Sequence, residues 1–127
     1  MASAEHAFAD ALHDVFARFG RIRLQRMFGG HALMHDERMF AFTTRGRLYF
    51  KTDAQTVPAF KARGLGPFEY MRQGRLARLH FHEAPPEVFE DPEEAARWAR
   101  QAWEVVLRTP TAGRARKSPA RKAAGPR

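Results

Sequence analysis

Residues 39–50 read Met-Phe-Ala-Phe-Thr-Thr-Arg-Gly-Arg-Leu-Tyr-Phe, and this stretch decides the fold. Met39 to Thr44 is rich in aromatic and β-branched side chains. Arg45-Gly46 is a turn pair, and Leu48-Tyr49-Phe50 returns as a second strand. Strands joined by so short a turn run antiparallel. Working upstream, the polar segment His35-Asp36-Glu37-Arg38 predicts another turn. Before it, Ile22 to Met34 forms an apolar run interrupted by Gly29-Gly30. Glycines inside a strand pattern predict a bulge or a close backbone approach, so this run reads as one strand. The central stretch is therefore a three-stranded antiparallel meander.

Helices flank the meander. In residues 4–19, Phe8, Leu12, Val15, Phe16 and Phe19 recur on one helical face, with Ser3 as N-cap and Gly20 just past the end. A second, shorter helix is predicted over Thr56 to Arg63, with Pro58 in its first turn and Gly64 ending it. Phe68-Glu69-Tyr70-Met71 and Leu76 to His82 read as a hairpin about Gln73-Gly74. In its second strand Ala77, Leu79 and Phe81 share one face, and Arg78, His80 and His82 the other. Asp91-Pro92-Glu93-Glu94 opens a third helix: a carboxylate N-cap, proline at the first position, and acids near the positive dipole end. Ala95, Trp98, Ala99, Ala102 and Val106 form its buried stripe, with Trp103 at the margin. Each helix has one apolar stripe to bury, so the reading is an α+β two-layer sandwich. It comprises a five-stranded antiparallel sheet with helices packed on it, in the order α-β-β-β-α-β-β-α.

The chain has 127 residues, enough for one domain with a real core. Its net charge of +8 divides unevenly. Residues 1–108 hold 16 of the 22 Lys/Arg and all 14 acids, a net +2; residues 109–127 hold six basic residues and no acid. The expected organisation is a folded body over 1–108 and a disordered basic tail over 109–127, which has no large apolar side chain to offset its ordering entropy. Cysteine is absent, which excludes disulfides, zinc-thiolate sites and thiol nucleophiles. The first twenty residues contain Glu5, Asp10 and Asp14 and no long apolar run, so they do not read as a signal peptide. No stretch approaches the roughly 20 apolar residues of a spanning helix. The expected location is cytoplasmic, without membrane attachment.

A set of blocks in fixed order carries a resemblance. Arg26-Met27-Phe28-Gly29-Gly30, Met39-Phe40-Ala41, Gly46 to Asp53, Gly66-Pro67-Phe68-Glu69-Tyr70, Pro86-Glu87, Glu90-Asp91 and Trp98-Ala99 together resemble the TfoX/Sxy N-terminal domain family over about residues 5–105. The resemblance implies a two-layer α/β fold of the kind also found in secretion chaperones. It also implies a role in regulating natural competence genes, beside the cyclic-AMP receptor protein rather than as an independent DNA reader. Full-length regulators of this kind carry a second, helical domain; here a basic tail follows residue 108. Where the family has an Asp-Gly turn, this chain has Asp36-Glu37.

Candidate chemistry is sparse. His80 and His82, two apart on one strand face, are the only candidate metal ligands, with His31 and His35 elsewhere. They read as a solvent-facing or sheet-covering pair rather than a metal site, because no ligand-spacing partner accompanies them. Met27, Phe28, Gly29 and Gly30 read as a structural motif. A phosphate loop would need its amides opening onto a helix N-terminus. Serine occurs only at Ser3 and Ser118, one at each terminus and outside the predicted core, so a Ser-His-Asp arrangement is not expected and no catalytic residue is assigned. No cofactor is expected. Arg21, Arg23 and Arg26 would combine with Arg75 and Arg78 into a basic strip if their strands lie close. The tail residues Arg114, Arg116, Lys117, Arg121 and Lys122 are the candidate nucleic-acid contacts, through phosphates rather than bases. The expectation is a non-enzymatic regulatory protein with a protein partner in transcription and nonspecific DNA affinity from its tail. The alternative is a protein-binding adaptor, including a homodimer, without nucleic-acid contact.

Overall fold

A computed structural model describes residues 4–27 and 29–109. The elements in chain order are α1 (Ala4–Val15), β1 (Arg23–Met27), β2 (Gly30–His35), β3 (Arg38–Thr44), β4 (Arg47–Lys51), α2 (Val57–Lys61), β5 (Pro67–Arg72), β6 (Arg75–Glu83), a short 3-10 turn (Pro86–Phe89) and α3 (Pro92–Arg108). The α+β class holds, with one antiparallel sheet in the order β1-β2-β3-β4-β6-β5. It has six strands rather than five, and four of them precede α2.

The extra strand comes from Gly29-Gly30. The run from Ile22 to Met34 is a hairpin, because Met27 pairs with Gly30 and Arg23 with Met34. The chain reverses where Gly29 takes φ +77°, a left-handed conformation that costs a glycine nothing. Gly30 has a different job. A Cβ there would lie 1.7 Å from the Thr43 carbonyl oxygen, so the neighbouring strand β3 occupies the side-chain space. The predicted close approach is real, but it accompanies a reversal rather than a bulge.

The helices cover one face of the sheet. Leu12 and Phe16 in the α1 segment, Phe60 of α2, and Ala95, Trp98, Ala99, Ala102 and Val106 of α3 pack with Leu33, Phe40, Ala41, Leu48 and Phe50. Asp91 caps α3, its Oδ1 accepting from the Glu93 amide at 2.9 Å. At the other end of α3 the Arg38 guanidinium donates to the carbonyls of Val106 and Thr109, at 2.8 and 3.0 Å. A cation supplied from β3 thereby satisfies the helix's last acceptors. The predicted Ser3 cap and residue Phe28 lie outside the described residues.

The opposite face carries its own aromatic cluster, built entirely from strands. Phe42 meets Tyr49, Phe68 and Phe81 at ring-centroid distances of 5.2, 4.9 and 4.9 Å. Phe42 and Phe68 belong to strands three positions apart, roughly 14 Å in a flat sheet. The sheet therefore curls toward this face, and Phe68 sits where the β5–β6 register shifts. Curling explains why Phe42 and Phe81 are buried on a face that has no helix.

Candidate functional site

His80 and His82 project from β6 on its helix-side face, since His82 pairs with Phe50 of the core. His82 is buried. Its Nδ1 lies 3.0 Å from Thr52 Oγ1, and its ring packs 5.5 Å from Phe60 of α2. Burial, with Lys61 and His80 close by, pushes the His82 imidazole below its ordinary pKa, which favours its neutral form. His80 is exposed, and its carbonyl accepts from the Thr52 amide at 2.8 Å. The sheet-covering role describes His82. His31 lies on β2, three strand positions from β6, and His35 is bound to the Arg21 carbonyl at 2.8 Å beside Phe19 and Trp103. The structure does not bring the four histidines together, and no group of three metal-ligating side chains converges among the described residues.

Beside His82 opens a cleft of about 550 Å³ between α2, the 64–67 loop and the β5–β6 hairpin. Val57, Lys61, Leu65, Gly66, His80 and His82 line it, and Glu69 and Arg78 stand at its margin. The Arg78 Nε donates to Glu69 at 2.7 Å. Phe60, held between His82 and Trp98 at 5.5 and 5.1 Å, fixes α2 as the cleft's wall. Asp53 secures the approach to α2 by accepting the Gln55 and Thr56 amides and pairing with Arg108 at the end of α3. The hydrogen bond from Arg108 holds the Asp53 carboxyl below the usual carboxylate range. The lining is mostly apolar, with Lys61 on the α2 wall and Glu69, Arg78, His80 and His82 on the hairpin wall.

The anticipated basic strip does not form. β1 is one edge of the sheet and β6 is the fifth strand, so Arg21, Arg23 and Arg26 are separated from Arg75 and Arg78 by the sheet's width. Seven guanidiniums of the body are instead paired with carboxylates: Arg18–Glu93, Arg23–Glu37, Arg47–Glu83, Arg63–Glu87, Arg78–Glu69, Arg97–Glu94 and Arg108–Asp53. Most of these pairs are exposed and contribute little stability, but they neutralise the surface locally. The tail candidates Arg114, Arg116, Lys117, Arg121 and Lys122 lie outside the described residues. Composition and periodicity did not single out Lys61, Leu65 and Gly66. Their convergence depends on where α2 settles on β6, which no local pattern encodes.

A family model for the TfoX N-terminal domain matches residues 14–106, from the end of α1 to the last turn of α3. The chain belongs to the TfoX N-terminal domain family. It is also 29% identical over 73 residues to a protein of Aliivibrio fischeri named DNA transformation protein TfoX1. That match covers 58% of this chain and 34% of the relative, so this TfoX-type chain spans about a third of that relative's length. Among the described residues no helix is long and apolar enough to cross a membrane.

Proposed function

We propose that this TfoX-type domain is a regulatory protein that modulates competence-type transcription through protein contacts, with its basic tail lending nonspecific affinity for DNA. Family membership supports the first half of the reading. The single observation that carries the second is the pairing of the body's arginines. With seven of its fourteen arginines engaged by carboxylates, the body of residues 1–108 carries a net charge of only +2, while residues 109–127 carry six basic residues and no acid. Phosphate binding by counterion release follows the uncompensated charge.

A salt titration of duplex DNA affinity tests this division. The full chain is compared with a variant in which Arg114, Arg116, Lys117, Arg121, Lys122 and Arg127 are all glutamine. If all six tail charges meet phosphates, log affinity falls against log salt with a slope of about −5, and the variant loses nearly all of it. Equal slopes for the two proteins would remove the tail from the reading. Absence of DNA affinity in both, with a protein partner retained, would favour the adaptor reading instead.

A further inference from the structure

The side chains that line the cleft beside α2 offer hydrogen-bond donors without a matching acceptor. Lys61 brings an ammonium from the α2 wall and makes no ion pair among the described residues. The lining's carboxylate is Glu69, and Arg78 already holds it at 2.7 Å. That contact neutralises Arg78 as well, which leaves Lys61 as the one uncompensated fixed charge in the lining.

His82 supplies a second donor, by elimination. Its Nδ1 lies 3.0 Å from Thr52 Oγ1. The Thr52 hydroxyl has no other side-chain partner among the described residues, so its proton goes to Nδ1 and the ring proton sits on Nε2. Nε2 in turn has no protein partner, yet it is not sealed in. The described side-chain atoms that are buried without a partner are Glu5 Oε2, His31 Nδ1, Thr43 Oγ1 and Trp98 Nε1. Because His82 lines the cleft, its Nε2–H opens there. Lys61 is near enough for its charge to help depress the His82 pKa, so the two donors serve one region. His80 shares the wall with an imidazole that has no partner among the described residues.

The rest of the wall is apolar, with Val57, Leu65 and Pro67 flanking these groups. The volume of about 550 Å³ is many times the roughly 30 Å³ share of one water and lies in the range of small-molecule sites. The Gly66 backbone is not left-handed, and a Cβ there would meet nothing within 4 Å, so neither strain nor packing demands glycine. What glycine does at Gly66 is leave the cleft's mouth open.

We infer that this cleft binds a small organic carboxylate with an apolar body. The carboxylate accepts from the Lys61 ammonium and the His82 Nε2–H, with His80 alongside, and the body lies against Val57, Leu65 and Pro67. One uncompensated cation matches one negative charge. A phosphate dianion would leave a charge unmet, and an organic cation would face Lys61 with like charge. A neutral apolar molecule would strip water from two donors and give them no acceptor. The site goes beyond the regulatory reading and does not depend on the tail.

The probe is sodium octanoate, titrated into the full chain near neutral pH and followed by amide and imidazole chemical shifts. Octanol, octylamine, acetate and inorganic phosphate separate the apolar chain from the charge. Octanoate should shift Lys61, Leu65, Gly66, His80 and His82, and the other four should do so more weakly. Lys61, His80, Thr52 and the Glu69–Arg78 pair surround His82 in every titration. An added anion beside the ring favours its protonated form, so octanoate should raise the His82 pKa and octanol should not. Lys61 is exposed, so Lys61→Met should leave the unfolding midpoint unchanged while weakening octanoate binding about tenfold or more. Lys61→Arg should restore most of it. No shifts with octanoate, shifts centred elsewhere (the basic tail included), an unmoved His82 pKa or undiminished binding by Lys61→Met would each overturn the inference. Equal affinity for octanol would also overturn it, since the donors would then select nothing. Acetate or phosphate binding as tightly as octanoate would do the same, because the apolar wall would contribute nothing.

Discussion

The β1–β2 hairpin and the β5–β6 hairpin close the two ends of one sheet, yet their surroundings differ. At the β1–β2 end, β3 presses so closely that Gly30 has no room for a methyl group. α1 and α3 then bury Leu33, Phe40 and Ala41 of the adjoining strands. At the β5–β6 end the helices stop at His82, and Met71 and Leu76 face solvent. Both hairpins obey the same ladder rules, so pairing alone does not decide stability. What decides it is the amount of apolar surface that a covering layer removes from water. One end is therefore sealed into the fold, and the other leaves Met71 and Leu76 in water.

Gly30→Ala breaks the comparison most sharply. The new methyl carbon would fall 1.7 Å from the Thr43 carbonyl oxygen, so two paired backbones must separate. A loss of about 3 kcal/mol or more is expected, read from the urea midpoint. A loss below about 1 kcal/mol would mean that β2 and β3 are not held this closely.

Turn chemistry gives the next effect, with opposite signs at two hairpins. Asp36 and Glu37 have φ of 47° and 62°, whereas the β5–β6 turn places Gln73 and Gly74 at 53° and 77°. Turns of this kind need left-handed backbone at both central positions, and glutamate is poorly suited to the second. Glu37→Gly relieves about 1–2 kcal/mol of left-handed strain. Against this stand a looser unfolded chain and the exposed Arg23–Glu37 pair, each at most about 1 kcal/mol. The expected outcome is a net stabilisation of up to about 1 kcal/mol. Gly74→Glu should destabilise by a similar amount, checked in the same denaturation series.

His82 marks the border between the two regions, and its signature is a slope. Its folded pKa lies below the ordinary histidine value because of burial, Lys61 and His80. As pH falls below about 6.5, the unfolded chain takes up a proton that the folded chain refuses, so stability decreases. The loss levels off once pH passes below the folded pKa. His82→Asn should flatten this part of the stability curve between about pH 5 and 7, above the range where carboxylates dominate. An unchanged slope would show that α2 does not exclude water from this ring.

Much of this architecture was legible in the residues. Arg45-Gly46 and Gln73-Gly74 announced their turns, and Asp91-Pro92 announced α3, because each acts through backbone preferences local to a few residues. Gly29-Gly30 misled the strand count for a physical reason. Gly29 supplies a left-handed turn and Gly30 a missing side chain, two uses of one residue type that look alike in sequence. The arginine strip failed because it needed β1 beside β6, and strand order is set by long-range packing. His82 showed its alternation but not its burial, which depends on Phe60 arriving from α2. The cleft was hidden for the same reason.

The smallest expected effect completes the comparison at its open end. Gly66→Ala places a methyl group in empty space on backbone that any residue adopts. Alanine also restricts the unfolded chain, which stabilises by about 0.4–1 kcal/mol where the native conformation is compatible. Gly66→Ala should therefore leave the urea midpoint unchanged or raise it slightly, in contrast to the same substitution at Gly30. Both are glycines next to a strand, and both changes add one carbon. If Gly66→Ala also destabilised by several kcal/mol, the 64–67 loop would be packed as tightly as β2 against β3. The cleft would then be a seam of the fold rather than an open site. A midpoint that moves only at Gly30 separates the two uses of glycine by measurement.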